Sequence, residues 1–176
     1  VNVNDLIDRV TELNLNGFPR QHVALVCDTV EVLKPDIICE WGTKDGNSCR
    51  LLFEASALSP GCRVHSIENA KLDAPPLLSG CDVLLHHGDG PTITLRLIKG
   101  FKRPLILIDD HHVYQDTLDN LATFALEAPG AVLLIHDAGL GRSEASYAIR
   151  AFLRRGGNYV LSESTDESGL VRLWPQ

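Results

Sequence analysis

The spacing of apolar positions changes character along this chain. Leu6, Ile7, Val10 and Leu13 recur at helical intervals behind Asn4, the predicted cap, until Gly17 and Pro19 break the run. Val23, Cys27 and Val30 mark a second helix over Gln21 to Leu33, closed by Lys34-Pro35. Short apolar runs follow: Asp36 to Glu40, Arg63 to Glu68, Asp82 to His87, Pro104 to Asp109 and Ala131 to Asp137. Several lack in–out alternation, which is the pattern of strands buried on both faces of a parallel sheet. Helical stretches lie among them at Asn47 to Leu58, Thr92 to Lys99, Tyr114 to Ala128, and Glu144 to Arg155 behind a Ser143 cap. The final runs, Asn158 to Ser162 and Leu170 to Trp174, are joined by a linker too short for a crossover helix, so they are predicted to pair antiparallel. This order predicts an α/β fold: a doubly wound sheet with helices on both faces and one reversed strand. Its 176 residues suit a single domain over 1–176, with an N-terminal helix and turn over 1–19 and a core from 20 onward.

Ligands of such sheets bind outside the carboxyl ends of the strands. The residues to weigh are therefore Glu40, Glu68, His87 to Asp89, Asp109 to His112, and His136-Asp137. One acid at a strand end is an ordinary turn or cap. Recurrence at the same edge of successive strands is harder to obtain by chance.

Composition narrows the partners. With 16 basic and 23 acidic residues the net charge is −7, which opposes a nucleic-acid backbone binder. No apolar run approaches the roughly 20 residues of a membrane span, and no basic stretch precedes a hydrophobic one as in a signal peptide. A cytoplasmic protein with a small-molecule partner is expected, and a homo-oligomer is left open. Five cysteines without CxxC spacing read as small buried hydrophobes in a reducing compartment.

The loop after the first strand reads Glu40-Trp41-Gly42-Thr43-Lys44-Asp45-Gly46-Asn47-Ser48. Gly42 and Gly46 permit a tight strand-to-helix turn, and the helix that follows offers free N–H groups to an anionic ligand. The spacing is ExGxxxG rather than GxGxxG, which disfavours a dinucleotide, and no P-loop is present. Glu68 ends the second strand, where an acid accepts hydrogen bonds from a ribose diol.

Glu40-x-Gly42-x-x-x-Gly46-x-Ser48 followed by a strand ending in Glu68 resembles the class I S-adenosylmethionine (SAM)-dependent methyltransferases. The resemblance spans about residues 20 to 174 and implies strand order 3-2-1-4-5-7-6. It implies cofactor contacts from Glu40, Gly42, Thr43, Gly46 and Ser48 at the methionyl end and from Glu68 at the ribose. His87-Gly88-Asp89-Gly90-Pro91 is similar to the adenine-contacting turn of small-molecule O-methyltransferases, which adds Gly88 and Asp89.

In the second half, Asp109 and Asp137 end neighbouring strands, so both are expected in one cleft. Two close carboxylates repel unless a proton or cation lies between them, and a hard ion such as Mg2+ answers that. Asp109 to Tyr114 resembles the IDG-x-H-x-Y frame of the metal-dependent macrocin and sugar O-methyltransferases and their cephalosporin hydroxylase-like relatives. The resemblance implies Asp109 at the cofactor and metal, Asp137 as a second ligand and His112 as general base. Asp110 replaces the usual glycine, and His136 stands where several metal-dependent members carry glutamate. His136 can still ligate, but imidazole suits Mn2+, Fe2+ or Zn2+ better than Mg2+. His22 and His65 are read as structural, and His86, His87 and His111 as turn or core hydrogen-bonders. Trp41 is left between a lid and plain packing. The function implied is SAM-dependent O-methylation of a small-molecule hydroxyl. The alternative is a SAM-binding domain without activity of its own.

Overall fold

The computed structural model describes residues 1–70, 73–109, 113–139, 143–163 and 169–176. Two helices, α1 (Val3–Glu12) and α2 (Arg20–Leu33), precede β1 (Ile37–Trp41), α3 (Asn47–Ser56) and β2 (Arg63–Glu68). A 3-10 turn at Pro76–Leu78 leads to β3 (Val83–His87), α4 (Gly90–Leu97) and β4 (Pro104–Ile108). Then come α5 (Tyr114–Glu127), β5 (Val132–Ile135), α6 (Glu144–Arg154), β6 (Tyr159–Glu163) and β7 (Val171–Pro175). The strands form one sheet in the order β3-β2-β1-β4-β5-β7-β6. The first five pair in parallel, and β7 runs antiparallel to both β5 and β6.

Period-2 alternation divides the core between the two faces of the sheet. Ile37, Cys39 and Trp41 of β1 pack with residues of α5 and α6, such as Phe124 and Ile149. Ile38 points the other way, into a cluster built from α1, α2 and α3. Glu40 shares the parity of Ile38, and its register partner on β2 is Ser66. Both side chains therefore lie under α3, which decides the chemistry of Glu40 below.

Several expected boundaries move for local reasons. The cap of α1 is Asn2, whose extended backbone lets Oδ1 accept from the N–H groups of Asn4 (2.8 Å) and Asp5 (3.4 Å); Asn4 lies inside the helix. Asp36 stands just before β1, its carboxylate accepting from the N–H groups of Lys102 and Arg103, both at 3.0 Å. β1 runs on to Trp41. β5 stops at Ile135, and Asp137 beyond it turns the chain with φ +53°. Asp89 caps α4 by accepting from the N–H of Thr92 at 3.0 Å, so that helix starts at Gly90.

β3 is an edge strand, and among the described residues only the 3-10 turn Pro76–Leu78 separates it from β2. Leu84 and Leu85 are 45% and 42% exposed, so burial on both faces, expected of several of the strands, does not extend to this one. Cys27, Cys39 and Cys49 are buried as expected, whereas Cys62 and Cys81 are only half-buried.

Candidate functional site

The β1–α3 loop is built around a buried acid. Glu40 is fully buried; its Oε1 accepts from Ser48 Oγ, and its Oε2 accepts from Ser66 Oγ at 2.6 Å. Ser66 Oγ is in turn 2.6 Å from Thr43 Oγ1. The chain thus ties loop, helix and second strand through hydroxyls that satisfy the acid. Burial pushes the Glu40 carboxyl up; hydrogen bonds from Ser48, Ser66 and Cys49 pull it down, and the Asp109 charge pushes it up again, to about 7. Burial wins because the ionised form has lost its water. Glu40 therefore shapes the loop from beneath. Gly46, at φ +83°, caps α3, and a Cβ there would come within 3.1 Å of Leu78. Only glycine meets both demands.

Trp41 is packing. It is 1% exposed, its Nε1 donates to Thr94 Oγ1 at 2.7 Å, and its ring lies 5.5 Å from that of Phe124. A Cβ on Gly90 would come within 2.8 Å of the indole, so the small residue at the start of α4 makes room for it.

Glu68, half-buried at the end of β2, accepts from the N–H of Lys44 at 3.2 Å and of Ala70 at 3.3 Å. It therefore faces the glycine loop across the strand ends. With Thr43, Pro75, His86 and His87 it lines a cleft of about 120 Å³. Gly88 continues the sheet edge, its N–H donating to the Glu68 carbonyl at 3.0 Å, and Asp89 is exposed. His65 Nδ1 and His86 Nε2 lie 2.9 Å apart on stacked rings. Burial and then like-charge repulsion from its neighbours lower the pKa of each.

The second cleft, about 180 Å³, is lined by Gly42, Thr43, Ser48, Asp109, His136 and Asp137, with Asn16 to Phe18 at its rim. Thr43 borders both clefts. The Asp109 N–H donates to the Trp41 carbonyl (3.2 Å) and the His136 N–H to the Ile108 carbonyl (3.0 Å), so sheet bonding reaches past the last strand residues and fixes both. His136 Nδ1 is 3.3 Å from Asp109 Oδ1 and 3.5 Å from Asp137 Oδ1. One donor atom from each of the three residues falls within 4.8 Å of the others. The expected meeting of Asp109, His136 and Asp137 is thus present.

The far side of His136 fixes its chemistry. Nε2 lies 3.0 Å from the Gly17 carbonyl. A carbonyl only accepts, so Nε2 carries a proton and Nδ1 is the atom turned toward the two carboxylates. Nδ1 is buried, and despite its nearness to both acids it makes no well-aligned hydrogen bond. Burial alone would lower the pKa of this ring, but the close carboxylate of Asp109 and its charge, the charge of Asp137 and the Gly17 carbonyl outweigh it, and the net shift is upward. A positive centre at Nδ1, proton or metal ion, relieves the repulsion. An acceptor atom between two acids suits a divalent cation.

His112, expected as the base, and its neighbours Asp110 and His111 lie outside the described residues. Tyr114 starts α5, its N–H donating to Glu144 Oε2 at 2.8 Å. Larger grooves lie between α5 and α6 and at the opposite edge of the sheet. Neither collects the strand-end acids.

Ser66 and the Asn16–Phe18 turn escaped the sequence reading. Ser66 carried a signal, a hydroxyl residue inside a buried strand. Gly17 was legible only as a helix breaker, because its role is a main-chain carbonyl. Phe18 stacks on His136 with centroids 4.7 Å apart, and His22, fully buried, meets the same ring edge-on at 5.3 Å.

A seven-stranded sheet in the order 3-2-1-4-5-7-6, with its seventh strand reversed and its clefts at the carboxyl ends, defines the Rossmann-like methyltransferase fold. Solved structures place the chain within that class. The O-methyltransferase TomG from Streptomyces achromogenes, involved in tomaymycin synthesis and solved with SAM, superposes with a TM-score of 0.66 at 18% identity over 99% of this chain and 89% of that one. An O-methyltransferase from Bacillus cereus in complex with SAH gives 0.61 at 18% identity, over 99% and 90%. A Mg-SAM form of CmcI gives 0.60 at 20% identity, over 87% and 71%. At these identities the likeness is one of fold. No protein-family model matches the sequence, and no curated protein matches it. Among the described residues no helix is long and apolar enough to cross a membrane.

Proposed function

We propose that this chain is a SAM-dependent O-methyltransferase that acts on a hydroxyl of a small molecule with the help of a divalent cation. The observation that carries the reading is the meeting of two half-sites at one sheet edge. The glycine loop and Glu68 form one, Asp109, His136 and Asp137 the other, and Thr43 borders both. SAM, when bound, would supply a methyl group on a cationic sulfur. The neighbours solved with SAM or SAH support that choice of donor. Glu68 would accept from the ribose hydroxyls, and Gly42, Thr43 and Gly46 would let the methionyl end approach the backbone, with Gly88 and Asp89 beside the base. Glu40 and Ser48 would hold the loop in shape for it. Asp109 and Asp137, with His136, would hold the cation, Mg2+ or Mn2+, and Asp109 would border both ligands. A cation there would lower the pKa of the acceptor hydroxyl. His112 would take its proton, and the alignment of donor and acceptor would supply most of the remaining rate.

Calorimetric titration of SAM, with and without Mg2+ or Mn2+, tests the binding half. SAH release from a panel of hydroxylated small molecules tests the chemistry. Micromolar SAM binding and metal-stimulated SAH release are the expected results. A folded chain that binds no SAM at millimolar concentration would refute the reading.

A further inference from the structure

The three candidate ligands are not equivalent, and the difference originates outside the sheet. His136 is held by the turn between α1 and α2. The Gly17 carbonyl accepts a hydrogen bond from its Nε2–H at 3.0 Å, and Phe18 stacks on the ring with centroids 4.7 Å apart. Gly17 reaches this position with φ +80°, a conformation suited to glycine, and a Cβ there would stand 3.8 Å from His136 Cε1. The turn is anchored to the cofactor loop, because the Asn16 N–H donates to Asn47 Oδ1 at 3.0 Å. Leu15 and Phe18 bury themselves in the core beneath it.

The consequence concerns the tautomer. A solvent-exposed imidazole could turn either nitrogen toward the acids or swing away. This ring can do neither without giving up the carbonyl bond, the stacking and the edge-on contact with His22. Its side chain is 8% exposed, and Nδ1 points between the two carboxylates, 3.3 Å from an oxygen of Asp109 and 3.5 Å from one of Asp137. A ligating histidine that donates its other N–H to a main-chain carbonyl is the usual way in which surroundings fix a metal ligand.

We infer that the α1–α2 turn is a built part of the metal site, locking His136 as an Nδ1 ligand, and that the site therefore selects a first-row transition ion over Mg2+. The inference rests on the proposed metal site and deepens it. Two carboxylates alone would suit Mg2+. A fixed imidazole nitrogen in the same set favours ions along the series from Mn2+ upward, since Mg2+ prefers oxygen and gives up its water reluctantly. Mn2+ is the weakest binder of that series, so a preference seen with it is a conservative measure.

Two measurements on the full chain decide the matter. Mn2+ and Mg2+ binding are compared by the electron paramagnetic resonance signal of free Mn2+, with Mg2+ as competitor. Pulsed resonance of the bound Mn2+ then looks for 14N modulation. Expected are at least a tenfold preference for Mn2+ in the parent protein, one coordinated nitrogen, and a His136→Glu variant that loses the nitrogen and narrows the preference about tenfold. Bound Mn2+ without coordinated nitrogen in the parent protein would overturn the inference even if the variant failed to fold. A His136→Glu variant with an unaltered preference would do the same. If neither ion binds, the metal site itself is wrong and the acids are bridged by a proton on His136.

Discussion

Replacing Glu40 by glutamine keeps the shape of the side chain and removes its charge. The carboxyl is fully buried, and in the folded chain it titrates near 7 against an ordinary 4.5. A raised carboxyl pKa means that the folded state holds a proton which the unfolded state has released. Between pH 4.5 and 7 the unfolded chain binds fewer protons, so the stability due to this group falls as pH rises. Its contribution is fully present below about pH 4.5 and is lost as pH passes through about 7. At about 1.4 kcal/mol per pH unit, the loss between pH 5 and pH 8 is about 2–3 kcal/mol. Glutamine has no such titration, and its amide can still pair with Ser48 and Ser66, because either serine hydroxyl can turn to accept. The assay is urea denaturation of parent and Glu40→Gln at pH 5 and pH 8, where other titrating groups cancel in the difference. The parent should lose about 2–3 kcal/mol relative to the variant across that interval, or roughly 5–10 °C in the gap between melting temperatures. Parallel pH profiles for the two proteins would show that Glu40 is ionised when folded, and the buried-acid account of the loop would fall.

Glu68→Ala should weaken SAM binding by about 2–4 kcal/mol in calorimetry through the loss of two charge-assisted hydrogen bonds, with the fold intact by circular dichroism. Trp41→Ala should cost about 3–5 kcal/mol of stability in urea, since it empties a buried ring volume and strands the Thr94 hydroxyl; a cost under 1 kcal/mol would restore the lid reading. His112→Ala should lower kcat by about 10²–10⁴ and leave SAM affinity nearly unchanged, whereas His111→Ala should stay active. A dead His111 variant beside an active His112 variant would move the base by one residue.

What could be read from the sequence follows a physical division. Strand ends were legible because a buried parallel strand is an apolar run, and the chain has to present polar residues where it leaves the sheet. That pattern places Glu40, Glu68, Asp109, His136 and Asp137 at one edge from residue types alone. Boundaries were less legible where a neighbour decides them: Asn2 rather than Asn4 caps α1 through its own extended backbone, and β3, at the edge of the sheet, leaves Leu84 and Leu85 exposed.

Roles that depend on direction were not legible at all. An acid two residues before a glycine loop looks like a ligand residue, yet parity with Ile38 turns Glu40 beneath α3, where Ser48 and Ser66 engage both of its oxygens. The protonation pattern of His136 is set by a carbonyl 119 residues away in sequence, and no spacing rule reaches that far. A backbone carbonyl also leaves no mark in composition, since any residue could supply it. Its one trace is Gly17, whose left-handed backbone bends the chain toward the cleft. The half of the site carried by side chains is thus written in residue types. The half carried by main chain and by tautomer exists only once α1 and α2 have packed against the sheet and brought Gly17 over the ends of β4 and β5. If that packing is what completes the site, the N-terminal helices belong to the chemistry and not only to the stability of the domain.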